Sequence, residues 1–338
     1  MAPGKGSDRR KIIESGMFGL LFTVIFITCR PMAAQDFQEE RIGWVSVFPD
    51  HEKNIEKNLG EKISDLIFGE KQFILNKPMA VVGEMTSDYW ILDQGLGTLV
   101  HVKNGKGKAV LLPKNIQPFP SLASMCKFSG NSLLFTDSRL DLVFIYKTEE
   151  NEFIPLTKPG LVDQPTGITW LKKKNEIWIA ETRQHRIAVL NPAGQILRYI
   201  GKRGKGPEEF NFPTYLWSDQ QEKVYITDAL NYRIQILDQD GKYISSLGKI
   251  GDATGYFSRP KGLATDSKGN IYVTDALFHV VQIFDHAGNF LYYFGSQGRN
   301  KGQFWMPSNV YVDENDYIYV SDTYNSRVQI YKLLSKQP

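Results

Sequence analysis

The chain has 338 residues, of which 42% are hydrophobic and 23% charged, a composition that supports a large buried core and excludes a disordered or fibrous chain. The formal charge of +3 comes from the first 30 residues: without their five bases and two acids, 35 bases face 35 acids, and the basic excess expected of a nucleic-acid-binding surface is gone. Two cysteines, Cys29 and Cys126, are too few for a disulfide framework or a cysteine metal site.

Residues 1–34 read as an export segment. Arg9, Arg10 and Lys11 precede the uncharged run MFGLLFTVIFIT at 17–28, the n-region and h-region of a signal peptide. These 12 residues fall short of the roughly 20 that span a bilayer. Cys29 follows directly, where a lipidated cysteine would stand, behind a poor lipobox; cleavage after Ala34, in PMAAQ, is the rival reading. A lipid on Cys29 would be the chain's one link to a membrane.

Residues 35–77 hold two short elements. RIGWVSVFP, at 41–49, is aromatic and β-branched and reads as a strand. Leu59, Ile63, Leu66 and Ile67 fall at helical spacing, which predicts a short helix over 58–68.

Residues 78–338 repeat. VYITDALNYRIQILDQDG begins at Val224, IYVTDALFHVVQIFDHAG at Ile271 and IYVSDTYNSRVQIYK at Ile318. Their acids, with those of the earlier units, run Asp93, Asp137, Glu181, Asp228, Asp275 and Asp322, at spacings of 44, 44, 47, 47 and 47. A proline precedes each acid by 15 to 17 residues: Pro78, Pro120, Pro165, Pro213, Pro260 and Pro307. Gly201, Gly248 and Gly295 keep the period of 47, as do Phe210, Phe257 and Phe304. The fifth unit contains four short runs, 262–265, 271–274, 280–284 and 290–294, separated by the turn sequences DSKGN and DHAGN. A period near 45 with four strands is a blade of a β-propeller. The fold expected is all-β: a six-bladed propeller of four-stranded blades. The last unit runs out after its third strand, so the strand at 41–49 is expected to close the ring and cover the open edge. Cys126, within SLASMCKF, reads as a small buried hydrophobe.

These residues resemble the NHL-repeat family, in its bacterial exported or lipoprotein branch. Asp228, Asn231, Arg233, Gln235, Asp238 and Gly241 match the family's pattern, as do Asp275, Gln282, Asp285 and Gly288, and Asp322, Asn325, Arg327 and Gln329. The fifth unit departs from it with Val280 where its siblings have arginine, and the first two units are degenerate. The resemblance implies a binding platform for protein or nucleic acid, and in a minority of members an enzyme.

Chain direction places the turns between second and third strands on one face, X, together with the linkers between units. The linkers GKRGKGPEEFNF, GKIGDATGYFSR and GSQGRNKGQFWM make face X the expected binding face. The candidate partner-binding residues are Arg203, Lys205, Tyr215, Lys261, Arg299, Lys301 and Asn309. The bland reading is stronger for the repeated Asp–Arg pairs, because groups that recur in every unit serve packing. The linker phenylalanines likewise read as wedges between units, and GKRGKG lacks the setting of a phosphate loop.

Catalysis finds little support. The residues after the strand-1 prolines include no His, Asp or Glu, and the five histidines, His51, His101, His185, His279 and His286, do not converge. The reading is therefore a monomeric, exported, non-catalytic propeller without cofactor or metal, which binds a protein or glycan partner and no nucleic acid. A propeller lyase or hydrolase with a metal in the channel, and a nucleic-acid-binding NHL module, are the alternatives.

Overall fold

The computed structural model describes residues 41–50, 73–114 and 116–334. The export segment with Cys29, and the helix expected over 58–68, lie outside them. Six four-stranded antiparallel sheets form the blades. Blade 1 begins with Pro78–Met85, blade 2 with Leu122–Phe128, blade 3 with Pro165–Leu171, blade 4 with Pro213–Ser218, blade 5 with Pro260–Thr265 and blade 6 with Asn309–Val312. These first strands pack against one another around the axis. Arg41–Phe48 pairs antiparallel with Arg327–Leu334 and supplies the outer strand of blade 6, as expected from the sequence.

The core lies between blades rather than within one. Strands buried on both sides read as near-continuous apolar runs, and Ile271–Asp275 is buried at all five positions. A linker side chain enters each gap: Leu75, Phe119, Val162, Phe210, Phe257 and Phe304 all sit in the apolar clusters between successive blades. In blades 1 to 5 each stands three residues before the first-strand position that pairs with the blade's acid. In blade 2 that position is Leu122, opposite Asp137. Pro120 therefore lies two residues outside the frame kept by the other prolines, which accounts for its spacing of 17.

Neighbouring blades are also tied by polar groups. Gln94 Nε2 donates to Leu122 O, Thr136 Oγ1 to Thr166 O, Thr182 Oγ1 to Pro213 O and Thr227 Oγ1 to Lys261 O. Gly262 N–H donates to Ser308 O, and Thr323 Oγ1 donates to Pro78 O at 2.8 Å, closing blade 6 on blade 1. Gly167 and Gly262 permit this approach: a Cβ on Gly262 would lie 2.4 Å from Asn309 Cα, and one on Gly167 2.7 Å from Leu216 N. Among the described residues no helix is long and apolar enough to cross a membrane.

Candidate functional site

The repeated acids build face X. Asp228, with no exposure, accepts the Asn211 N–H at 2.6 Å, the Asn231 amide and the Arg233 Nε at 2.8 Å, and the Gln235 amide at 3.3 Å. The same side chains then grip the linker before the blade: Asn231 donates to Gly204 O, Arg233 to Gly206 O and Glu209 O, and Gln235 to Glu209 O. Asp322, Asn325, Arg327 and Gln329 repeat the arrangement on the linker carbonyls of Gly298, Arg299, Asn300 and Gln303. The D-x-x-N-x-R-x-Q pattern is thus a device that fixes the shape of the linker. Gly201, Gly248 and Gly295, at φ of 85°, 85° and 98°, let the linker turn over the ring of the wedge phenylalanine. In blade 5, where Val280 replaces arginine, a cavity of about 360 Å³ stands among Asp252, Thr254, Phe278, Val280 and Tyr293.

The fixed linkers hold four of the candidate residues outward. Arg203, Lys205, Arg299 and Lys301 are all exposed. Arg299 and Lys301 share a wide depression of about 800 Å³ with Asp50, Tyr324 and Arg327. Arg299 lies 5.0 Å from the Trp305 ring, and Lys301 lies 4.8 Å from the Trp44 ring of the closing strand. Arg203 stands apart from them on the linker between blades 3 and 4, close enough to His185 to help burial lower its pKa. His185 Nδ1 accepts the Phe212 N–H and His279 Nδ1 accepts the Met306 N–H, so both rings fasten the chain ahead of a first strand.

The other three candidates lie in the first strands of blades 4, 5 and 6. Tyr215 is 6% exposed, so its ring is buried rather than presented, and burial pushes its hydroxyl pKa up. Lys261 is half-buried, and Asn309 packs against Gly262. Two further cations join Lys261. Arg259, which precedes Pro260, and Lys77, which precedes Pro78, lie near enough to oppose its charge. Burial first, then these two, lower the Lys261 ammonium to about 8. Arg259, in the basic linker GKIGDATGYFSR, and Lys77 stand immediately before the first-strand prolines Pro260 and Pro78. Hydroxyl pairs join the start of the first strand to the turn after the second: Ser121 Oγ faces Ser138 Oγ at 2.8 Å, Thr166 Oγ1 faces Thr182 Oγ1 at 2.6 Å, and Thr323 Oγ1 faces Ser308 Oγ at 2.6 Å.

The NHL repeat pattern matches residues 304–331, which run from the wedge phenylalanine through the third strand of blade 6. Blade 6 carries an NHL repeat. The NHL device in that blade is the linker clamp of Asp322, Asn325, Arg327 and Gln329. No curated protein matches the chain. Among solved structures, an auxiliary nutrient binding protein from Bacteroides thetaiotaomicron superimposes with a TM-score of 0.61 at 12% identity, covering 78% of this chain and 70% of that one. A second auxiliary nutrient binding protein, from Bacteroides ovatus, gives 0.59 at 13% identity, covering 78% and 70%. Virginiamycin B lyase from Staphylococcus aureus gives 0.56 at 14% identity, covering 78% of this chain and 98% of that chain. At these identities the likeness is one of fold.

The opposite face, Y, is built differently from face X. Asp219, Asp266 and Asp313 each cap their own turn and accept the hydroxyl of a tyrosine six residues on, Tyr225, Tyr272 and Tyr319, at 3.1, 3.0 and 3.0 Å. They are acids committed to turns. A cavity of about 410 Å³ between blades 1 and 2 holds Trp90 stacked on His101 at 4.1 Å, with His101 Nε2 2.6 Å from Asp88 Oδ1. Tyr146 meets Trp90 edge-on, with ring centroids 5.5 Å apart. Among the described residues, no three of His, Cys, Asp and Glu come together as metal ligands.

Proposed function

We propose that the protein is an exported, non-catalytic binding propeller that holds a protein or glycan partner on face X. The observation that carries this reading is the linker clamp. Buried side-chain networks fix the backbone from which Arg203, Lys205, Arg299 and Lys301 project into solvent, two of them beside a depression of about 800 Å³. Binding to a pre-shaped surface avoids the cost of ordering loops. Two of the similar folds belong to proteins described as nutrient binding, which agrees with a platform role.

The test is a pull-down from the native envelope with the mature propeller, comparing wild type with the Arg203→Ala, Lys205→Ala, Arg299→Ala variant. A partner held by wild type and lost in the variant supports the reading. A partner held equally by both moves the contact off these linkers. No partner, together with a stoichiometric divalent metal in elemental analysis, would replace this reading with that of a channel lyase.

A further inference from the structure

The linkers into blades 4, 5 and 6 follow one course. The N–H groups of Gly204, Gly251 and Gly298 donate to the carbonyls of Phe210, Phe257 and Phe304. The amides of Gln235, Gln282 and Gln329 donate to the carbonyl before each of those phenylalanines, on Glu209, Tyr256 and Gln303. Blade 5 lacks the other two donors of the clamp. Arg233 reaches Gly206 O and Glu209 O, and Arg327 reaches Asn300 O and Gln303 O, but Val280 stands at their place. Asn231 and Asn325 donate to Gly204 O and Gly298 O, but Phe278 stands at theirs. The linker therefore keeps its shape without the guanidinium that fills it in the two neighbouring blades. The cavity of about 360 Å³ opens there, against Val280, Phe278 and Ala253, the counterpart of Gly206.

The charge of the rim is inverted at this blade. Asp252, which is exposed and lines the cavity, stands 47 residues after Lys205 and 47 before Arg299. Across the strand pair from Val280, Asp275 has no exposure and accepts only backbone N–H groups. Among the described residues it makes no ion pair, whereas Asp228 and Asp322 each hold their own arginine.

We propose that this cavity is a slot for an arginine side chain of a protein partner, which takes the place that Arg233 and Arg327 fill in the neighbouring blades. A guanidinium is planar, carries several donors for linker carbonyls and stacks on aromatic rings, of which Phe278 and Tyr293 line the slot. The inference rests on face X being the binding face, and it narrows the partner to a protein.

Calorimetric titration at low ionic strength tests it, with Nα-acetylarginine methylamide as the probe and its neutral citrulline counterpart as the control. The arginine probe should bind wild type, and the citrulline probe should bind about tenfold more weakly or not at all. Val280→Arg supplies the guanidinium from within the chain, so it should abolish binding while holding the urea midpoint at or above that of wild type. If that variant does not fold, Asp252→Asn and Tyr293→Ala decide the matter. Both lie at exposed positions, and each should weaken binding by about threefold. No binding of the arginine probe, equal binding of the two probes, binding that survives a folded Val280→Arg, or binding unchanged in both rim variants overturns the proposal. A partner captured from the envelope through Arg203, Lys205 and Arg299, with no binding of the arginine probe, leaves the platform standing without the slot. A probe that binds where no partner is captured does the reverse.

Discussion

Asp228 and Asp275 occupy the same place in successive blades with different partners, and the difference sets the expected cost of losing each. Asp228 neutralises Arg233, whose Nε lies 2.8 Å away, and accepts the Asn211 N–H. Asp228→Ala would leave a guanidinium held against carbonyls with no counter-charge, which costs about 3–5 kcal/mol. Asp275 has Val280 in place of the arginine, so Asp275→Ala loses hydrogen bonds to backbone alone, at about 1–3 kcal/mol. Urea midpoints of the two variants should fall in that order. Equal losses would mean that the Asp–Arg pair adds nothing beyond the backbone bonds. A second buried pair responds to pH. Burial alone would raise the Glu176 pKa, but the Arg198 fork at 2.7 and 2.8 Å and the Trp178 N–H outweigh it, and the carboxyl ends below its ordinary value. A depressed folded pKa gives stability that is present above the unfolded value and lost as pH falls through the folded one. Arg198→Ala should therefore cost about 1 kcal/mol near neutral pH and show a shallower loss of stability below pH ~4.5 than wild type in pH-dependent urea melts.

At the scale of the element, the later blades were legible because their markers are backbone requirements. Gly201, Gly248 and Gly295 need positive φ, and Phe210, Phe257 and Phe304 need a gap between blades, so neither position drifts. The early linkers do the same work with Leu75, Phe119 and Val162, which share volume but no letter, and the period fades there. The strand boundaries of blade 5 were read to within two residues at their starts, since Asp266 and Asp285 cap tight turns that leave little slack. Tyr215, a candidate for partner contact, is buried within its first strand, because a hydroxyl-bearing aromatic carries no mark in the sequence that tells a presented ring from a packed one. Gly262 tests how closely those strands are set. A Cβ there meets Asn309 Cα at 2.4 Å and Ser308 O at 3.0 Å, both backbone, which cannot step aside. Gly262→Ala should destabilise by about 1–3 kcal/mol or more, read from urea unfolding. An unchanged midpoint would mean that blades 5 and 6 can separate without loss.

The whole molecule depends on a contact between the two ends of the described chain. The repeats alone predicted that contact: six acids with only five complete sets of four strands leave one edge open, and the aromatic strand at 41–49 was the segment suited to fill it. The proximity of Lys77 to Lys261 was less legible, because they are 184 positions apart and only the closed ring brings them within electrostatic reach. Closure is held by the ladder from Arg41 to Phe48 against Arg327–Leu334 and by Phe48, buried near Phe73 and Tyr89. Removing residues 41–48 would bare the outer edge of Arg327–Leu334 and uncover Tyr89. An unpaired edge with an apolar flank recruits a strand from elsewhere. The shortened chain should therefore show a lower urea midpoint and a concentration-dependent mass by light scattering, as neighbouring molecules supply what the ring lacks. A synthetic RIGWVSVF peptide, added in excess, should restore both the monomer mass and part of the midpoint by strand addition. A shortened chain that stays monomeric with an unchanged midpoint would show that the polar ties from Thr323 to Pro78 and from Tyr311 to Gly83 hold blades 6 and 1 together without the closing strand.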